Sequence, residues 1–239
     1  MISYLYGKNV GFSLIESHRK IQKVYLSEKV YSGQWQTIIK ERKLDYQIVD
    51  NKTLDRLSEG GNHQGLVMAV EEYRTYGLDE LLDSLPKEEL GLLIMLDGVE
   101  DPHNLGAILR NCDGAGAQGV IIGKHRSAPL NATVAKVSTG AIDSVKIAEV
   151  TNLVDAIKYL KKQGYWIAGC EAEGESIYNF KFDVPLILVI GSEGKGISPL
   201  VKKNCDYLLS LPMRGKINSL NASVACGAVL YEAVRQREK

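Results

Sequence analysis

Short, unbroken apolar runs alternate along this chain with stretches in which apolar residues recur every three or four positions. Unbroken runs suit strands buried on both faces, and the longer period suits helices packed by one side. From residue 91 onward the runs predict strands at 92–96, 120–122, 145–148, 165–168, 186–190 and 207–211. Between them the pattern predicts helices over 103–113, 131–141, 152–163, 198–204 and 219–236. This alternation implies an α/β domain with a parallel sheet covered by helices. Upstream, strands are expected at 4–6, 24–26, 46–49 and 66–70. Helices are expected over 9–20, 33–43 and 52–59, the last opened by Asn51 or Thr53 as its cap. The reading is a small α/β domain over residues 1–72, a linker over 73–90 and a larger α/β domain over 91–239.

Composition narrows the picture only a little. The 239 residues carry 29 basic and 29 acidic side chains, so no global field draws the chain onto a polyanion. Local patches then decide any nucleic-acid contact. Residues 76–89 hold five acids and a single Lys, which marks the expected linker as an acidic hinge. Cys112, Cys170, Cys205 and Cys226 are widely spaced with no C-x-x-C pair, and are expected as reduced thiols. The four His, at 18, 63, 103 and 125, show no metal-ligand spacing, so no metal is expected. The apolar runs are too short to cross a bilayer and the start lacks the pattern of a signal peptide. A cytoplasmic protein without membrane contact is expected.

Two glycine strings suggest nucleotide loops and fail on inspection. Gly114-Ala-Gly-Ala-Gln-Gly119 has the letters of a dinucleotide fingerprint, but follows a predicted helix and precedes a strand, the reverse of the order that chemistry needs. It is read as a helix C-cap and turn. Gly191-Ser-Glu-Gly-Lys-Gly-Ile-Ser198 lacks the Gly-Lys-Ser/Thr ending of a phosphate loop, and Glu193 would repel phosphate.

Three segments of the second domain carry chemistry. In the first, Pro102 suits a helix start, with Asn104 at the entrance and Arg110 nearly two turns on. Taken alone, Asn104 is also a plausible cap and Arg110 a partner for Asp101 or Asp113. In the second, Gly191, Gly194 and Gly196 let backbone approach a ligand closely, and Glu193 is the only acid of the loop. In the third, Asn218, Ser219 and Asn221 put polar side chains at the mouth of a helix. Its Ala222, Ser223, Ala225, Cys226, Gly227 and Ala228 allow tight packing.

Taken together, the segments closely resemble the three motifs of the SpoU-type (TrmH family) RNA 2′-O-ribose methyltransferases of the SPOUT superfamily, in order across residues 91–239. Residues 1–72, with Asn62-His63-Gln64-Gly65 near their end, resemble the ribosomal-protein-like RNA-binding domain of ribosomal-RNA members.

The resemblance implies a C-terminal parallel-sheet domain with a deep trefoil knot and a homodimer. It implies S-adenosylmethionine bound at Gly191, Leu211, Met213 and Leu220, with no metal. Arg110 would be the central catalytic residue, assisted by Asn104, Glu193, Ser219 and Asn221, with Asn104 and Glu193 orienting Arg110 and the ribose. The expected substrate is RNA, most closely a guanosine of 23S rRNA, with an rRNA adenosine or transfer RNA as alternatives. Arg19, Lys20 and Lys23 are expected to add RNA affinity from the first domain. A non-catalytic RNA-binding assembly protein is the alternative of another class, and the intact motif residues count against it. A nucleotide-dependent oxidoreductase would rest on the misplaced glycine string alone.

Overall fold

The computed structural model describes residues 2–16, 20–86, 88–217 and 219–238, the side chain of Ser13 excepted. Contacts group into two units, residues 1–73 and 74–239.

In the first unit the chain runs β1 (Ile2–Tyr6), α1 (Lys8–Glu16), β2 (Ile21–Leu26), α2 (Glu28–Val30), a π-helical turn (Tyr31–Trp35), α3 (Gln36–Arg42), β3 (Tyr46–Ile48), α4 (Asn51–Leu57) and β4 (Leu66–Glu71). The sheet order is β1-β4-β2-β3, with β4 antiparallel to both neighbours and β2 parallel to β3. Leu14, Leu26, Trp35, Ile39, Leu54 and Met68 form its core. The helix expected over 9–20 is described to Glu16, and residues 17–19 lie outside the described residues. The cap of α4 is Asp50 rather than Asn51 or Thr53: its carboxylate accepts from the Thr53 amide at 2.9 Å. Before β4, Gln64 and Gly65 both take left-handed backbone (φ 51 and 81). His63 fixes that turn, accepting from the Gly65 amide at 2.9 Å through Nδ1 while Nε2 meets Asp55 at 3.1 Å.

The second unit begins inside the stretch expected as a linker. Leu78, Leu81, Leu82 and Leu85 are spaced for one helical face, and α5 (Leu78–Asp83) buries Leu81 in the core of this unit. Then follow β5 (Leu92–Asp97), α6 (Pro102–Gly114), β6 (Gly119–Gly123), α7 (Ala132–Ser138), α8 (Ala141–Ser144), β7 (Ile147–Val150), α9 (Leu153–Lys162), β8 (Trp166–Ser176), β9 (Leu186–Gly191), α10 (Pro199–Asn204), β10 (Tyr207–Ser210) and α11 (Ala222–Arg237). The helix expected over 131–141 is broken in two by left-handed Thr139 and Gly140 (φ 52 and 95). The strand expected at 145–148 starts two residues later. The string 114–119 forms the turn from α6 into β6, with Gly116 left-handed (φ 67) and the Ala117 amide donating to Cys112 O at 2.9 Å.

Six strands pair in parallel in the order β10-β8-β9-β5-β6-β7. Leu93, Ile94, Met95, Ile121, Ile187, Leu188 and Val189 are fully buried, as expected for strands covered on both faces. The chain winds outward from β5 through β6 to β7, then crosses to β8 and returns with β9 beside β5. This reversal leaves a crevice at the carboxyl ends of β5 and β9, the usual ligand position in open parallel sheets. The pairing of β10 with β8 changes register between Leu208 and Leu209. Gly174 is required there, because a Cβ would lie 2.4 Å from the Leu208 carbonyl carbon. At the chain's far end the Arg237 guanidinium donates to the carbonyls of Leu90 (2.7 Å), Phe182 (2.8 Å) and Val184 (2.7 Å), tying α11 to the starts of β5 and β9.

Candidate active site

Three chain turns meet at the crevice. Asp101 caps α6, accepting from the His103 amide at 3.0 Å, and with Pro102 in the first turn this sets Asn104 facing inward, 6% exposed. The loop 191–197 leaves β9 and closes on itself through Ser192 and Gly196, whose backbones exchange bonds of 3.1 and 2.9 Å. A Cβ on Gly191 would stand 2.1 Å from the Gly196 carbonyl carbon, so this closure needs glycine there. Asn221 caps α11, its side-chain oxygen accepting from the amides of Ser223 (2.9 Å) and Val224 (3.3 Å) and from the Ser223 hydroxyl (2.6 Å).

With its oxygen committed to the cap, the Asn221 amide nitrogen has one direction left. It donates to Asn104 Oδ1 at 2.8 Å and to Glu193 Oε1, and Asn104 Nδ2 donates to the same Glu193 oxygen at 3.0 Å. Asn104, Glu193 and Asn221, 117 positions apart at the extremes, thus form one closed triangle. Glu193 Oε2 makes no bond to a described residue.

Beside the triangle lies a cavity of about 630 Å³, a volume suited to a small-molecule cofactor. Gly191, Leu211, Met213 and Leu220 line it, together with Glu193, Ser219 and Asn221. Its apolar wall comes from Ile190, Leu209, Leu211, Met213, Leu220 and Val229. The structure therefore brings eight of the nine expected site residues to one place. Arg110 is the exception. It is exposed on α6, about 9 Å along the axis from Asn104, and makes no hydrogen bond or ion pair with a described residue, while Asn104 and Glu193 bond each other and Asn221. Asn218 lies outside the described residues.

Two carboxylates that the sequence pattern did not single out hold the loop in place. Asp97, 4% exposed at the end of β5, accepts from the Ser198 amide at 2.7 Å. Glu171 of β8 lines the cavity, accepts from the Ile197 amide at 2.8 Å and pairs with Lys202 at 3.3 Å. An acid closing the apolar run of β5 was a visible signal for Asp97. Glu171 sits in an alternating acidic string, where nothing in the spacing sets it apart. Cys170 also lines the cavity, and burial keeps its thiol well above the usual range, hence protonated and a poor nucleophile. No group of three or more His, Cys, Asp and Glu suited to a metal occurs among the described residues.

The fold and site define a parallel α/β domain with a cofactor-sized cavity and a polar triangle at its topological switch point. The profile of the SpoU rRNA methylase family matches residues 91–231, and that for RNA 2′-O ribose methyltransferase substrate binding matches residues 4–76. This chain belongs to the SpoU rRNA methylase family. It is 44% identical to YacO of Bacillus subtilis, a TrmH family protein, over 98% of this chain and 96% of that one. It is 40% identical to the 23S rRNA (guanosine-2′-O-)-methyltransferase RlmB of Pectobacterium atrosepticum over 99% of each chain. Among solved structures, it resembles the SpoU methyltransferase AviRb of Streptomyces viridochromogenes in complex with its cofactor AdoMet. The TM-score is 0.68 and the identity 26%, over 99% of this chain and 90% of that one.

Proposed function

We propose that this protein transfers a methyl group from S-adenosylmethionine to a ribose 2′-hydroxyl of RNA, at a guanosine of 23S rRNA, in the cytoplasm. The observation that carries the reading is the 630 Å³ cavity lined by all four expected cofactor positions, with the Asn104–Glu193–Asn221 triangle at its edge. The strong likeness to an RlmB protein along the full chain supports the substrate.

The cavity suits the cofactor chemically. Leu211, Met213 and Leu220 offer the flat apolar contact a purine needs, and the close backbone at Gly191 offers fixed polar groups. Glu171 and Glu193 add carboxylates to the cavity wall, which would favour a sulfonium cation there. When bound, the cofactor supplies an electrophilic methyl group. The chain's part is to hold the ribose and help its hydroxyl lose a proton. Glu193 Oε2, free while Oε1 is held by two amides, is placed to accept a hydrogen bond from the substrate. Ser219 positions substrate beside it, and Asn221 acts through Glu193, whose orientation it holds. Arg110 anchors the target phosphate and stabilises the developing alkoxide.

We read residues 1–72 as the RNA-binding domain and 91–239 as the methyltransferase domain, with the trefoil knot that the resemblance implies. We also assign a homodimer. Val224, Ala228 and Tyr231 form an exposed stripe on α11, and α11 packs on α6, whose exposed side carries Arg110. A second copy over this stripe brings apolar cover and sets Arg110 at the joint.

The test is transfer of tritiated methyl from S-adenosylmethionine to unmodified 23S rRNA and to bulk tRNA, with an Arg110→Ala control. Labelling of the ribosomal RNA that is lost in the variant supports the assignment. Labelling of tRNA alone overturns the substrate, and absence of cofactor binding overturns the enzyme.

A further inference from the structure

Residues 114–142 contain no Asp or Glu, while the segments on either side are rich in acids. Two of its three cations, Lys124 and Arg126, flank His125, and these three consecutive residues are all exposed. These three form the loop that leaves β6, at the same carboxyl edge of the sheet as the candidate active site. Leu96 at the end of β5 pairs with Ile122, and Asp97 pairs with Gly191, so the basic loop lies two strands from the 191–197 loop. At normal strand spacing this is about 10 Å.

The loop is also held in shape. The Lys124 amide donates to Val150 O, and the Ala128 amide donates to Val99 O, each at 2.9 Å. The second bond ties the loop to the segment that leads into Asn104. Arg126 itself takes left-handed backbone (φ 55), a conformation an exposed arginine has no intrinsic reason to adopt. Neither Lys124 nor Arg126 forms an ion pair with a described residue. In the first unit Lys23 is partnered by Asp45 at 3.7 Å, Lys20 is exposed without an ion pair to a described residue, and Arg19 lies outside the described residues.

We propose that Lys124, His125 and Arg126 form a phosphate clamp on the catalytic unit, gripping the backbone of the substrate RNA beside the target nucleotide. The proposal rests on the reading of this protein as an RNA methyltransferase. It adds a surface for which no motif or resemblance supplied a role. Unpaired cations on a fixed loop next to a reaction cavity complement a polyanion, and they position the strand without reading its sequence. Such a contact makes binding depend steeply on salt, with each phosphate neutralised adding about 0.7 to 0.9 to the slope of log affinity against log salt.

The experiment is filter binding of a 23S rRNA fragment by the full chain at several salt concentrations. It compares wild type with a Lys124→Ala, Arg126→Ala double variant. As a control, Lys162→Ala neutralises an exposed lysine at the end of α9, on the opposite edge of the sheet. The double variant should bind RNA about tenfold more weakly or worse, with a salt slope lower by about 1.4 to 1.8. Its affinity for S-adenosylmethionine should be kept, which shows that the site is still folded. Equal RNA affinity and slope in the double variant and wild type would overturn the clamp, as would an equal loss in Lys162→Ala. Binding does not require turnover. A wild-type protein that bound this RNA through the loop without methylating it would therefore overturn the functional reading and still support the clamp.

Discussion

Asn104 is almost fully buried, yet both ends of its amide are used: Oδ1 accepts from Asn221 and Nδ2 donates to Glu193. A buried amide satisfied in this way is rigid, and it sets which Glu193 oxygen faces outward. Asn104→Ala removes both bonds and leaves Asn221 and Glu193 only each other. Methyl transfer should fall tenfold or more while affinity for S-adenosylmethionine changes little. The stability loss should be about 1 to 3 kcal/mol, as for two hydrogen bonds lost. Single-turnover rates beside calorimetric cofactor titration measure both, and an unchanged rate would remove Asn104 from the site. Motif resemblance in the sequence pointed to Asn104, Glu193 and Asn221 separately. Their closure into a triangle was not legible, because it depends on an Asn221 oxygen already spent on a helix cap. Asp97 and Glu171 were missed for a related reason: they bond main-chain amides, and those partners leave no mark in residue type.

Among the elements, the strands of the parallel sheet were legible because each is an apolar run that has to be covered on both faces. The breaks were less so. Thr139 and Gly140 split a helix whose apolar spacing continues across them, and the register change between β8 and β10 depends on how the two strands meet. The linker expected at 73–90 contains α5 because Leu81 fits a gap beside Gly119, where even a Cβ would stand 2.8 Å from it. The loop 191–197 is the element on which the cavity most depends. Gly191→Ala would force a methyl into the backbone at Gly196 and Ile197, at 2.1 and 2.4 Å, so the loop must open. Overpacking of this kind costs about 1 to 3 kcal/mol, and cofactor affinity should drop by about tenfold or more. Isothermal titration decides the point, and an unchanged dissociation constant would show that the closed loop is dispensable.

For the molecule as a whole, three thiols bear on its response to alkali. Burial pushes Cys205 up to about 11, and its thiol points at the Val201 carbonyl at 3.4 Å. Cys170 is raised by burial, and Cys226 by a hydrogen bond with Cys112 and by burial. Each stays protonated in the folded chain after it would have ionised in the unfolded one. For Cys205 this contribution is complete below about pH 8.5, the unfolded thiol value, and is lost as the pH climbs toward 11, while for Cys170 and Cys226 the loss continues beyond that pH. Urea midpoints should fall steadily from pH 8 to 10.5, and less steeply in Cys205→Ser; parallel curves for the two proteins would contradict this.

The double duty of Asn221 also separates the start of α11 from the charge of the site. Replacing that one amide by a carboxylate would leave the helix start intact, since aspartate caps as well as asparagine. It would also set a second acid against Glu193, and two carboxylates sharing a site raise the pKa of one of them. An Asn221→Asp protein should then melt close to the wild type and transfer methyl at least tenfold more slowly, and equal rates in the two proteins would show that the site does not need the Asn221 amide. One side chain thus carries the fold through its oxygen and the site's charge balance through its nitrogen, and the two can be lost separately.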